Sequence, residues 1–393
     1  MPPLRYRLAP LPLFVLAATA SAQGSGDTGG FIVRLGTDTL ALERYHRAPD
    51  ELRGEIVLRV PDLRRVSYTA TLTGGAIRGL DVAIAPVQHG TSAPSHGVMR
   101  FDGDTADVTI ALADGTRRLR IPARPGAVPL TAFSHALIEQ AILQARREGR
   151  DSVAFDWVGL GAPAASPSYV AVCGVDSVRL AFFGDPGYAR LDRGGRILSL
   201  DGRGTTIKVE VERVPDVDLE HYEAAFAAEQ ETDGPMGPLS PRDTVRARIG
   251  GAELAVDYGR PRKRGREIFG GVVPWDRIWR LGANAATQFT TSAELEMSGR
   301  TVPAGTYSLF MLPSEGGAEL IVNRQTDQWG TSYDPGRDLV RLPLLRESAP
   351  DPADQFTIEV EPSSKGGTLR LSWDTTTYSL PFTVRAARHA AGS

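Results

Sequence analysis

The chain has 393 residues, a formal charge of −3 at neutral pH, and 42 Gly and 28 Pro spread among short apolar runs. Its length exceeds what one small core needs and implies two domains. Near-balanced charge excludes a global field that would draw the protein to nucleic acid or acidic lipid, so any electrostatic recognition is local.

Residues 1–22 have the pattern of a signal peptide: Arg5 and Arg7 first, an apolar run from Leu8 to Ala18, and a small-residue cleavage site at Ala20-Ser21-Ala22. No later apolar run is long enough to span a bilayer, and no Cys follows the cleavage site to take a lipid. The expectation is a periplasmic or secreted protein without a transmembrane segment. The sole cysteine, Cys173, closes the apolar run Tyr169-Val170-Ala171-Val172 and reads as a buried small hydrophobe, and no intramolecular disulfide is possible.

Residues 25–215 read as a β-rich N-terminal domain. Phe31–Leu35 and Thr39–Glu43 flank the turn Gly36-Thr37-Asp38, and further runs of alternating polarity follow at 54–60, 66–72, 98–101, 106–112 and 117–121. The turns Asp102-Gly103-Asp104 and Asp114-Gly115 are hairpin signals. One helix, over 130–148, interrupts the strands, with Phe133, Leu137, Ile138, Ala141, Ile142 and Ala145 forming an apolar stripe suited to packing across a sheet. Strands resume at 152–158, 169–173, 177–183, 187–192, 197–200 and 206–212. The reading is a curved antiparallel sheet with one packed helix.

Residues 216–241 read as a short helix, about 219–231, followed by a Gly/Pro linker without apolar periodicity. From 242 to 387 strands dominate again, at 245–249, 253–258, 287–291, 294–297, 305–312, 318–323, 339–344, 356–360, 368–373 and 378–384. So many short strands predict an antiparallel β-sandwich.

Within this second unit, 257–287 concentrates Arg260, Arg262, Lys263, Arg264, Arg266, Trp275, Trp279 and Arg280, then Asn284 and Thr287. The block Tyr258-Gly259-Arg260-Pro261, with Gly265-Arg266, Ile268-Phe269-Gly270-Gly271, Val273-Pro274-Trp275, Trp279-Arg280 and Gly282-Ala283-Asn284, closely resembles the DUF2911 family. So do Val302–Phe310, Asp327-Gln328-Trp329-Gly330 and Leu371-Ser372-Trp373-Asp374, and the resemblance covers 240–386. It implies a domain of unknown function found in exported bacterial proteins and supplies no catalytic residues. The chain departs from the pattern at Leu281, where the family often has Thr, and at Ala285, where it often has Glu. The N-terminal unit resembles periplasmic lipoprotein-carrier-type curved sheets in its strand-helix-strand layout alone.

A long loop fixed by aromatic anchors is a common place for a binding site. Arg260, Arg266 and Arg280 can offer planar donors to an anion; Trp279 and Trp329 can stack on a sugar ring; Asn284 and Thr287 add short-range hydrogen bonds. The competing reading makes these arginines ties to backbone carbonyls and the tryptophans core. Arg262, Lys263 and Arg264 read as a solvated spacer.

No metal site is indicated: 242–387 contains no His or Cys, and His46, His89, His96, His135 and His221 show no helical ligand spacing. Neither a P-loop, a dinucleotide fingerprint nor a GxSxG elbow occurs, so no cofactor is implied and catalytic residues remain unassigned. The sequence reading is an exported, non-enzymatic envelope binding or assembly factor that recognises an anionic or carbohydrate ligand, or another envelope protein, through the Arg/Trp loop. The alternative is an envelope hydrolase with its site at the domain interface, served by one of those histidines.

Overall fold

The structure, a computed structural model, describes residues 26–87, 93–182 and 185–385. The signal-peptide segment, His89 and His389 lie outside the described residues.

Two β-sheets account for the fold. The first begins with β1 (Asp27–Leu35), β2 (Asp38–Arg47), β3 (Glu51–Leu58), β4 (Arg64–Thr73), β5 (Ala76–Pro86), β6 (Ser95–Asp102), β7 (Thr105–Leu112) and β8 (Gly115–Pro122). After β9 (Val128–Leu130) and α1 (His135–Arg147) come β10 (Ser152–Gly159), β11 (Ser166–Val172), β12 (Ser177–Phe182), β13 (Asp185–Leu191), β14 (Ile197–Asp201) and β15 (Glu210–Val214). Their spatial order is β8-β7-β6-β5-β4-β3-β2-β1-β15-β14-β13-β12-β11-β10-β9. The sheet is thus two meanders joined at the pairing of β1 with β15, antiparallel except where β9 runs parallel to β10. Period-two burial along β4, with Val66, Tyr68, Ala70 and Leu72 inside, shows why these segments are strands.

Helix α1 packs on one face and α2 (Leu219–Asp233) on the other, where Leu219 and Ala227 meet Leu42 and Val57. Helix α1 starts at His135, not at 130: β9 holds the preceding residues, and Ala132 and Phe133 have φ of 44° and 61°, which breaks the helical path. Its N-terminus is pinned by a fully buried carboxylate from the sheet. Glu43 accepts from the Tyr68 hydroxyl (2.6 Å), the Ser134 hydroxyl (2.6 Å) and the amides of His135 (2.7 Å) and Ala136 (3.1 Å). Burial raises the Glu43 carboxyl above its ordinary value, against the pull of these donors. One turn on, Glu139, also fully buried, accepts from Arg47 (2.7 Å), from Arg213 and from the Ile197 amide (2.6 Å). The helix is therefore bolted to its sheet by charge as well as by its apolar stripe.

Cys173 is exposed, not buried. Strand β11 ends one residue earlier, and the Cys173 amide bonds to the Ser177 carbonyl as the chain turns towards β12.

The second sheet contains β16 (Arg242–Ile249), β17 (Ala252–Gly259), β18 (Thr287–Thr291), β19 (Leu295–Met297), β20 (Arg300–Val302), β21 (Gly305–Ser314), β22 (Gly317–Asn323), β23 (Asp338–Pro362) and β24 (Gly366–Val384). They are ordered β16-β17-β18-β21-β22-β23-β24-β19-β20. Strand β23 is 25 residues long: its first part pairs with β22 and its remainder with β24. It links two leaves whose apolar residues, among them Tyr258, Phe289, Leu309, Phe356, Leu371 and Trp373, share one core. This is the antiparallel sandwich expected, with the paired runs at 339–344 and 356–360 merged into one strand. Among the described residues, no helix is long and apolar enough to cross a membrane.

Residues 234–241, read as a linker, lie against the first sheet: the Gly237 amide bonds to the Pro61 carbonyl (2.7 Å), and Met236 and Leu239 touch the first core.

Candidate functional site

The Arg/Trp segment leaves β17 at Gly259 and rejoins the sheet at Thr287, and most of it is tied down from within. The Arg260 guanidinium donates to Asp243 (3.0 Å), to the Thr357 hydroxyl (3.1 Å) and to the Phe356 carbonyl (3.4 Å). Arg266 turns back on its own loop, donating to the carbonyls of Lys263 (3.0 Å) and Arg262 (2.6 Å). Burial, then the neighbouring Arg264, holds its guanidinium below the ordinary arginine value, although such a group stays charged at any physiological pH.

Trp279 is buried, its ring stacked 5.9 Å from Trp373 and set edge-on 5.0 Å from Phe356. Its amide and carbonyl exchange hydrogen bonds of 2.8 Å with Met311, which fixes the loop against β21. Thr287 is fully buried, and its hydroxyl donates to the Leu281 carbonyl (2.6 Å). These four residues hold the loop in shape.

Of the basic run 262–264, Arg262 is exposed, as a solvated spacer would be, but its two neighbours are not. Lys263 pairs with Asp374 (2.6 Å), and its amide bonds to the Asp354 carbonyl (2.6 Å). Arg264 is buried against Asp38 of the first sheet, with its carbonyl accepting from the Thr37 amide (3.0 Å). The cause is the β1–β2 turn, which seats on this corner. Gly36 there has φ +61°, and a Cβ at that position would stand 2.0 Å from the Arg264 carbonyl oxygen.

The remaining three expected residues converge. Residues 284–286 run beside 328–330: the Gly330 amide bonds to the Asn284 carbonyl (3.0 Å), and the Ala286 amide to the Gln328 carbonyl (3.1 Å). The Arg280 stem crosses Gly330 so closely that a Cβ there would lie 2.1 Å from Arg280 Cδ. Asn284 sits in the left-handed region at φ 63°, exposed, and its side-chain amide makes no hydrogen bond among the described residues. Trp329, at 46% exposure, is the only exposed tryptophan among the described residues; Trp275 is half-buried, and Trp157 and Trp373 are 1% exposed.

Arg280, Asn284 and Trp329 therefore form one corner at Gly330, while Arg260 and Arg266 lie on the side of the loop that faces β23 and the first sheet. Gln328 and Gly330, not singled out from sequence as site residues, set this corner. The Gln328 side chain is buried and donates to the Ser308 hydroxyl (2.8 Å), which leaves its neighbour Trp329 pointing outward. The run Asp327-Gln328-Trp329-Gly330 carried the signal: a buried amide, an indole and the one residue that lets an arginine stem pass.

Of the histidines, His135 is buried at the first residue of α1, His96 pairs with Asp81 (2.9 Å), and His46 and His221 are exposed on the first unit. Among the described residues no group of three or more His, Cys, Asp or Glu is arranged to hold a metal ion.

No curated protein matches the chain. Residues 240–382 match the model of the family described as Protein of unknown function (DUF2911), so the C-terminal unit, which contains the corner at Gly330, is the part of this chain that carries the family's pattern.

Proposed function

We propose that the protein is an exported binding protein and that the corner formed by Arg280, Asn284 and Trp329 takes an acidic carbohydrate. The observation that carries this reading is the exposed ring of Trp329, next to the Gly330 over which the Arg280 stem passes and on a segment paired with that of the uncommitted Asn284 amide, whereas Trp275 and Trp279 of the Arg/Trp loop are stacked on other rings. An indole face suits the C–H face of a sugar ring, a guanidinium suits its carboxylate, and an amide bonds its hydroxyls. The corner's backbone is already tied, by Gly330 to Asn284 and Ala286 to Gln328, so little backbone ordering entropy opposes binding.

The test uses the full mature chain with trigalacturonate, maltotriose and inorganic phosphate as probes, read by indole fluorescence and thermal shift. Trigalacturonate at about a hundred times its Kd stabilises the fold by roughly 2.7 kcal/mol. Trp329→Ala and Asn284→Ala remove that shift without lowering the unliganded Tm. A shift that survives Trp329→Ala, or a response to maltotriose alone, overturns the reading.

A further inference from the structure

A groove of about 700 Å³ crosses the first sheet on the face that carries α2, remote in sequence from the Arg/Trp loop. Its construction follows from strand register. Thr28, His46, Arg53, Thr69 and Asp81 are direct neighbours on β1, β2, β3, β4 and β5, forming one polar rung across five strands. Two residues along, Arg44, Glu55 and Ser67 form a second rung. Between them lies the rung Gly29, Tyr45, Gly54 and Tyr68, whose tyrosine rings sit on the opposite face, so only backbone floors the groove. Pro215 and Asp216, leading into α2, wall one end.

Most charges here are already answered. Arg44 is paired with Glu55 (2.8 Å) and Glu220 (3.1 Å), Arg53 with Glu51, and Asp81 with His96 (2.9 Å). Thr28, His46, Ser67 and Thr69 make no side-chain hydrogen bond among the described residues. What the groove offers is therefore three hydroxyls and an imidazole in a field with no dominant sign. A charged ligand would meet a like charge on one wall or the other, whereas a neutral polyol finds donors and acceptors along the whole length. The rung repeats with the strand spacing of about 4.8 Å, close to the length of one sugar residue in an extended chain.

We propose that this groove binds a neutral linear oligosaccharide lying across β1–β5, bonded at β1, β2 and β4 by Thr28, His46 and Thr69. The site is independent of the corner at Trp329 and stands or falls without it.

The experiment titrates the full mature chain with cellohexaose, maltohexaose and chitohexaose, and with hexagalacturonate as the charged control, by calorimetry. Each titration is repeated on Trp329→Ala and on the double variant His46→Ala/Thr69→Val, which removes polar groups from partly open strand positions; equal Tm values establish that both variants are folded. The expected result is binding of at least one neutral hexasaccharide, weakened tenfold or more in the double variant and unchanged in Trp329→Ala. A trisaccharide of the same sugar binds more weakly than the hexamer, as a row of subsites requires. Binding of none of the neutral sugars, binding untouched by the double variant, or loss on Trp329→Ala each overturns the proposal.

Discussion

Arg264 and Asp38 meet across the joint between the two sheets, an arginine buried to 6% side-chain exposure answered by a carboxylate from the β1–β2 turn. The backbone reinforces the pair, because the Thr37 amide bonds to the Arg264 carbonyl at 3.0 Å. A charge buried so far must be paired to be tolerated.

Asp38→Asn should therefore cost about 1–3 kcal/mol, less than a fully buried pair because Asp38 itself is partly open to water. Gly36→Ala should cost more, since the new methyl meets a backbone oxygen that cannot swing aside. Urea unfolding followed by tryptophan fluorescence measures both. If Asp38→Asn left the midpoint where it was, the pair would be an ornament of the joint and not a strut.

His135 makes stability depend on pH. Burial lowers its imidazole to about 4, against 6.5 when unfolded. Its contribution is complete above about 6.5. As the pH falls towards 4, the unfolded chain takes up a proton that the folded one refuses, and roughly 3 kcal/mol is lost. Glu43 shifts the opposite way, its raised carboxyl favouring the folded state at lower pH, so the wild-type curve blends the two. The difference between wild type and His135→Gln isolates the imidazole: it should be flat from pH 8 to 6.5 and then move by about 3 kcal/mol by pH 4. A difference that stayed flat throughout would mean that His135 is protonated in the folded protein.

The two tryptophans named from sequence as ligand contacts should part company. Trp279→Ala removes a ring packed between Trp373 and Phe356 and should cost about 3–5 kcal/mol. Trp329→Ala strips a half-exposed ring and should stay within about 0.5 kcal/mol. Chemical denaturation of the two single variants decides. A large loss at Trp329 would make it scaffold and remove the basis for the corner as a site.

Strands with strict alternation, such as Val66–Leu72, were legible because one face is core and the other water. Strand β5 was not: Gly79 interrupts its apolar series, and Ala83 and Ala85 give it a weak outer face. The merger of two runs into β23 also escaped, because the polar stretch between them, Glu347–Gln355, alternates with nothing and is held in the strand by β24. At the Arg/Trp loop the sequence located a cluster but not its division of labour. Whether an arginine faces a ligand or a carbonyl depends on residues far along the chain, Asp243 and Phe356 for Arg260, that no local pattern names. Within the run 262–264, Arg264 misled for the same reason, since its partner is 226 residues away. Likewise the groove's polar rung is assembled one residue per strand and has no linear signature.

The pairing of β1 with β15 lies at the centre of the first sheet, not at its rim. Each meander can grow by local hairpins, one from β1 to β8 and the other from β10 to β15, and the two meet only at the seam. That closure brings together Phe31 and Arg213, separated by most of the unit, and so carries the largest loop entropy in the sheet. A chain emerging from its N-terminus holds β1 unpaired on one side until β15 arrives, which makes this central strand, once protected by the finished fold, the exposed edge of every unfinished one.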